Sequence, residues 1–170
     1  MKHLARIEAI GPFLAYADYT DVKMIEGDVS LQSFVASMLS YCPWWLIWLY
    51  HIRAVVARLL GLVDQEQLDM PIALEADSVP LLPGETAAFF TVRAAEKDKY
   101  WIAETPEDKH LRAYFCVEAE TLDDNRKRFH VVTIVHHKHW TGPVYFNLIR
   151  PFHHLVVYSM MRAGVRKNKV

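Results

Sequence analysis

Cysteine is scarce in this chain. Cys42 and Cys116 are the only two, far apart and without CxxC spacing. That argues against a disulfide framework or a cysteine-built zinc or redox motif, and makes reduced thiols in a cytoplasmic protein the expectation. Glycine is scarce too, six in 170 residues, so the material for glycine-rich phosphate loops is thin. Neither a nucleophile elbow nor an HExxH motif occurs. Net charge is almost absent, −1 from 19 basic and 20 acidic residues. A dedicated nucleic-acid binder needs a basic face to displace counterions from phosphate, so no nucleic-acid partner is expected. Internal repeats and low-complexity segments are also missing.

What remains is globular composition, 52 % apolar and 23 % charged, read as one domain over residues 1–170. The apolar piece near the N-terminus is broken by Glu8, Gly11 and Pro12, too interrupted for the core of a signal peptide despite the small-residue pattern Ala15-Tyr16-Ala17. Export is not expected. Nine histidines are more than such a chain needs, and they are the first place to look for chemistry.

Val29 to Tyr50 contains no Asp, Glu, Lys, Arg or His, about the length that crosses a bilayer. The run is nevertheless two-faced. Leu31, Phe34, Val35, Met38 and Leu39 recur at helical spacing, with Ser30, Ser33, Ser37 and Ser40 on the other side. Asp28 or Ser30 can cap that helix. Pro43 then breaks the run and suits the first turn of a second helix. There Trp45, Trp48, Leu49, Ile52, Val55, Val56, Leu59, Leu60 and Val63 form a stripe, and Gly61 is a plausible stop. Two amphipathic helices around a proline corner do not span a membrane. The expectation is a helix pair packed on a sheet, with an interfacial membrane helix as the alternative because Trp44, Leu46 and Ile47 widen the apolar face. The same apolar corner makes a homodimer conceivable.

The rest reads as strands and one long helix. Residues 13–25 form a strand before the helix pair. Residues 64–86 are loop-like, with a short strand at Ile72–Glu75. Strands follow at 87–94, 98–104, 110–120 and 128–139. Strand 110–120 alternates, with Leu111, Ala113, Phe115, Val117 and Ala119 on the packed face and Arg112, Tyr114, Cys116, Glu118 and Glu120 toward water. Residues 143–164 are helical by period, with Val144, Leu148, Phe152, Leu155, Val156, Ser159 and Ala163 sharing a side. Pro151 predicts a kink or break near Arg150. The class is α+β: a curved antiparallel sheet of six to seven strands around a long C-terminal helix, with two shorter helices after the first strand.

ADYTDVKMI (17–25), PWWLIWLYHIRAVVARLLGL (43–62), DKHLRAYFCVE (108–118) and VYFNLIRPFHHLVVYSMMR (144–162) together resemble a bacterial family of unknown function. That family is allied to the helix-grip superfamily of START lipid-binding domains, birch-pollen-allergen-like proteins and polyketide cyclases. The IRPFH run is the most specific match. The resemblance implies a ligand cavity between sheet and C-terminal helix. It imports no catalytic set, because members range from carriers to enzymes. The chain departs from the superfamily in strand count, five or six where seven is common, and in Glu104, where a small turn residue would suit the hairpin better.

Alternation and helical period then nominate wall residues: Phe89, Tyr100, Ile102, Leu111, Ala113, Phe115, Val131, Phe146 and Ile149, with Trp45 or Trp48 near a mouth. Thr133, His137, His153 and Arg150 are the polar candidates. His137 and His139 leave one strand face and could share a metal only if His153 or Asp21 converged on them, so no metal and no cofactor are assigned. Asp18 and Asp21 leave opposite faces and cannot pair, but one of them can turn inward to a backbone amide or to Arg112. Two functions follow. The first is a hydrophobic small-molecule binder, lipid-like or aromatic; the second is a cyclase, dehydratase or isomerase with His153 or His137 as general base.

Overall fold

The computed structural model describes residues 10–59, 74–106, 111–122 and 126–166. A short helix α1 (Gly11–Leu14) leads to β1 (Tyr19–Gly27), then α2 (Leu31–Leu39) and α3 (Trp44–Leu59). After a 3-10 turn at Ala76–Ser78 come β2 (Thr86–Ala87), β3 (Phe90–Glu96), β4 (Tyr100–Glu104), β5 (Leu111–Thr121) and β6 (Lys127–His137). Helix α4 (Thr141–Gly164) closes the described chain. The six strands form one antiparallel sheet in the order β1-β6-β5-β4-β3-β2. Strands β2 to β6 are a meander, and β1 lines up beside the last of them. This is the curved sheet with a long C-terminal helix and two shorter helices after the first strand that the pattern predicts.

Local chemistry explains most of these elements. Ser30 caps α2 by accepting the Ser33 amide at 3.1 Å, and α2 buries Leu31, Phe34, Val35, Met38 and Leu39 as its spacing requires. In β3 the register slips between Val92 and Ala94, leaving Arg93 as the extra residue of a bulge. The inner face then carries Phe90, Val92 and Ala95, with Trp101 and Ala103 on β4, Phe115 and Val117 on β5, and Phe129 and Val131 on β6. The 64–86 loop is partly structural: the Leu74 amide donates to Ser40 Oγ at 2.7 Å, Val79 is buried, and Trp101 Nε1 donates to the Pro80 carbonyl at 3.1 Å. Of the strand expected at Ile72–Glu75, the first two residues lie outside the described residues; Glu75 is the N-cap of the 3-10 turn.

Four expectations need correction. Residues 13–18 do not begin the first strand. Pro12 starts a helical turn, Tyr16 takes a left-handed φ of 61°, and the strand starts at Tyr19. Second, the outer face of the sheet is not simply wet. Residues 10–17 lie across it, so Ile10, Ile102, Tyr114, Cys116, Val132 and Ile134 form a second core with Phe13, Leu14 and Tyr100 at its border. The His136 ring anchors this strap, 2.9 Å from the Phe13 carbonyl oxygen. Third, of the kink or break expected near Arg150, the break does not occur: α4 is a single helix of 24 residues that runs through Pro151.

The fourth correction concerns sidedness. Of the stripe expected on α3, Trp48, Ile52 and Val55 face out and Trp45 and Leu49 are half-buried, while the side chains of Val56 and Leu59, with Leu60 and Val63, lie outside the described residues. Of the α4 stripe, Val144, Leu148, Phe152 and Leu155 face out. Trp44, Trp48, Ile52 and Val55, together with Val144, Leu148, Phe152, Leu155 and Tyr158, are each 47–74 % exposed. Leu46 on α3 and Tyr145, Phe146, Val157, Met161 and Gly164 on α4 point inward. Both helices carry apolar residues on more than one side, so periodicity alone does not select the buried side.

Candidate functional site

The inner face has a packed end and a polar end. Toward the first, α2 and the C-terminal half of α4 bring Phe34, Met38, Val157 and Met161 onto Phe129, Val131, Phe115 and Trp101. Toward the other, the strands present Leu111, Ala113, Thr133, Val135 and His137 in register, beneath the N-terminal half of α4. There β1 contributes Tyr19, Asp21 and Lys23, which alternate inward while Thr20, Val22 and Met24 are exposed.

Three of these groups hold α4 through one imidazole. Lys23 Nζ lies 2.8 Å from His154 Nδ1, and Tyr19 Oη lies 3.2 Å from His154 Nε2. Asp21 pairs with Lys23 and stands 3.4 Å from His154 Nδ1. Burial, reinforced by the Asp21 charge, raises the Tyr19 hydroxyl above its usual range, so the phenol keeps its proton. The Arg150 guanidinium sits 6.0 Å from the centre of the same ring. This bracket satisfies its own members and ties α4 to the edge strand. It was partly missed in the sequence: Asp21 was a candidate, but Lys23 and His154 were not. The available signal was the i, i+2, i+4 spacing of Tyr19, Asp21 and Lys23.

Deeper in, two nitrogens have no partner. His137 Nδ1 and His153 Nε2 are fully buried and accept or donate no hydrogen bond among the described residues. Both rings neighbour Phe146, with centroids 6.0 Å and 6.4 Å from its own. Burial first, then the Lys23 and His154 charges, lowers the His153 pKa to about 4. The ring is therefore neutral near pH 7, with one donor and one acceptor nitrogen. A buried polar atom left unpaired costs about 1–3 kcal/mol, so such atoms are rare and call for a partner.

The remaining nominated residues distribute as follows. Phe115, Val131, Thr133 and Phe146 are buried on the inner side and Ile149 is half-buried on α4. Phe89 packs on Phe90 at 4.2 Å. Trp45 is half-buried with its edge toward Tyr41, whereas Trp48 faces out. Tyr100 and Ile102 are corrected to the outer face, where they meet the 10–17 strap. Both faces of β4 are covered, so its alternation offers no phase, and Trp101 and Ala103 take the inward positions. The Asp18 carboxylate accepts the His137 amide at 2.6 Å, while Arg112 turns outward to Glu104. Glu120 is paired rather than a plain surface charge, 3.0 Å from His130 Nε2. His139 lies beyond β6, 3.0 Å from Thr141 Oγ1, and no three metal-ligating side chains cluster among the described residues.

A cleft of about 400 Å³ opens by the β1–β6 pair, lined by Met24, Ile25, Glu26, Arg128 and His130. Its charges neutralise one another: Arg128 pairs with Glu26 at 2.7 Å and His130 with Glu120. It therefore offers little to a polar ligand.

The sheet order, the element order and the C-terminal helix define an α+β protein of the helix-grip class. The chain belongs to the family described as "Protein of unknown function (DUF2867)", whose pattern matches residues 13–160. Among solved structures it is similar to norcoclaurine synthase from Thalictrum flavum, with 10 % identity over 89 % of this chain and 95 % of that one, and a TM-score of 0.43. An aromatase/cyclase from a Streptomyces species matches at 11 % identity, 86 % and 91 % coverage and a TM-score of 0.43. A START superfamily protein from Mycobacterium smegmatis matches at 12 %, 85 % and 94 %, with a TM-score of 0.38. Similarities this low carry nothing about chemistry. No curated protein matches the sequence.

Proposed function

We propose that the chain binds an apolar small molecule carrying one polar end, between the inner face of the sheet and the N-terminal half of α4. The supporting observation is the pair of buried, unpartnered nitrogens, His137 Nδ1 and His153 Nε2, whose rings both neighbour Phe146. A hydroxyl, carbonyl or carboxylic acid at its polar end would pair with one of these nitrogens, and the apolar body would lie along Ala113, Phe115, Val131, Phe146 and Ile149. Thr133 is a third polar contact on that floor. Affinity would come from the apolar area removed from water, at roughly 25 cal/mol per Å².

A neutral His153 favours binding over catalysis. A general base works best with a pKa near the operating pH, and burial has carried this ring to about 4.

The test is native mass spectrometry of the purified chain, followed by titration with a fluorescent long-chain fatty acid and with naphthol. A co-purifying small molecule, or saturable probe binding that His153→Phe and His137→Phe each weaken about tenfold, is the expected result. Absence of both kinds of binding, or binding that neither substitution moves, would remove the reading.

A further inference from the structure

We propose that the outward faces of α3 and α4 form a docking surface for an anionic lipid bilayer, on which the protein lies without crossing. The two helices touch, and each turns large apolar side chains to solvent: Trp44 and Trp48 on α3, Leu148 and Leu155 on α4. An exposed helix face ordinarily carries charged residues, and a contiguous apolar surface on a protein marks a place where something binds.

Charge identifies the occupant. There is no Asp or Glu between Val29 and Val63, and none from Asn125 to Val170. Every formal charge in α3 and α4 is therefore cationic, although the whole chain is slightly acidic. Arg58 and Arg162 lie at the exposed C-terminal ends of these helices, and Arg162 leans over the Tyr158 ring at 6.0 Å. Tryptophan with leucine on the apolar side and arginine at the margin is the composition of an interfacial membrane helix. Cations near the surface then gain from anionic headgroups. A second copy of the chain fits less well, because α3 and α4 carry no carboxylate with which to pair the other copy's cations. None of the described helices is long and apolar enough to cross a membrane, so contact is confined to the headgroup level. The surface is distinct from the interior site and does not depend on that site holding a ligand.

The experiment is co-sedimentation of the full chain with phosphatidylcholine vesicles, with and without phosphatidylserine, read together with tryptophan emission. Binding that is about tenfold tighter to the phosphatidylserine vesicles, weakens with salt and shifts emission to the blue is expected. Trp44→Ser with Trp48→Ser should abolish it, and Arg58→Glu with Arg162→Glu should return it to the level of neutral vesicles. All four residues are exposed, and unchanged circular dichroism and thermal unfolding verify the fold. No vesicle binding, or equal binding to both compositions, overturns the proposal. So does a dimer in light scattering that the tryptophan substitutions dissolve while vesicles are ignored.

Discussion

Gly164, at the end of α4, lies directly against the Phe34 ring of α2. A Cβ built on this glycine would come to 2.7 Å from Cδ2 and Cε2 of that ring. Phe34 has no room to retreat, because its other side stacks on Phe129 with centroids 4.1 Å apart and planes within 4°. Gly164→Ala should therefore destabilise, since overpacking costs about 1–3 kcal/mol and the better helix propensity of alanine returns less than 1 kcal/mol. A melting temperature lowered by a few degrees is expected; an unchanged or raised one would mean that the two helices separate freely.

Glu104 is the buried centre of an ion triad on the outer face. Arg93, the bulge residue of β3, reaches it at 2.5 Å, and Arg112 of β5 at 2.9 Å. The carboxylate ties three strands together while both arginines remain about half exposed. Glu104→Gln should cost about 1 kcal/mol in urea unfolding. In a double-mutant cycle with Arg93→Ala the two losses should not add; simple additivity would show that the pair contributes nothing.

His153 makes stability depend on pH in a stated direction. Its folded pKa of about 4 lies below the ordinary 6.5, so the unfolded chain binds the extra proton first. The contribution is complete above about pH 6.5 and is lost as pH falls toward 4, with a total of order 3 kcal/mol. His153→Phe should flatten the stability profile across that window. A wild-type profile already flat between pH 4 and 6.5 would contradict a buried neutral ring.

The two thiols should differ sharply. Burial pushes Cys116 up to about 12, between the sheet and the 10–17 strap, whereas Cys42 is half-buried by the proline corner. Native protein should release one equivalent of thionitrobenzoate rapidly and the second only with unfolding. Rapid reaction of both would mean that the strap opens readily.

Much of the fold was legible because local patterns and tertiary demands agreed. The serine-capped helix at Leu31–Leu39, the strands of the meander and the long C-terminal helix each have a sequence period that only one element type satisfies. The site was legible in part. His137 and His153 could be nominated as polar groups in an apolar neighbourhood, but their partnerlessness is a property of three elements meeting. Lys23 and His154, 131 positions apart, had no local signal that they touch.

The sequence by itself determined the type of most elements and the antiparallel class, because periodicity, proline and capping act within a few residues. Which way each element faces was decided only by the tertiary structure. β4 is covered on both sides, and α3 and α4 each carry apolar residues on more than one side, so their periods do not single out the buried face. It took the 10–17 strap and the fit of Gly164 against Phe34 to choose which residues became interior and which were left to solvent.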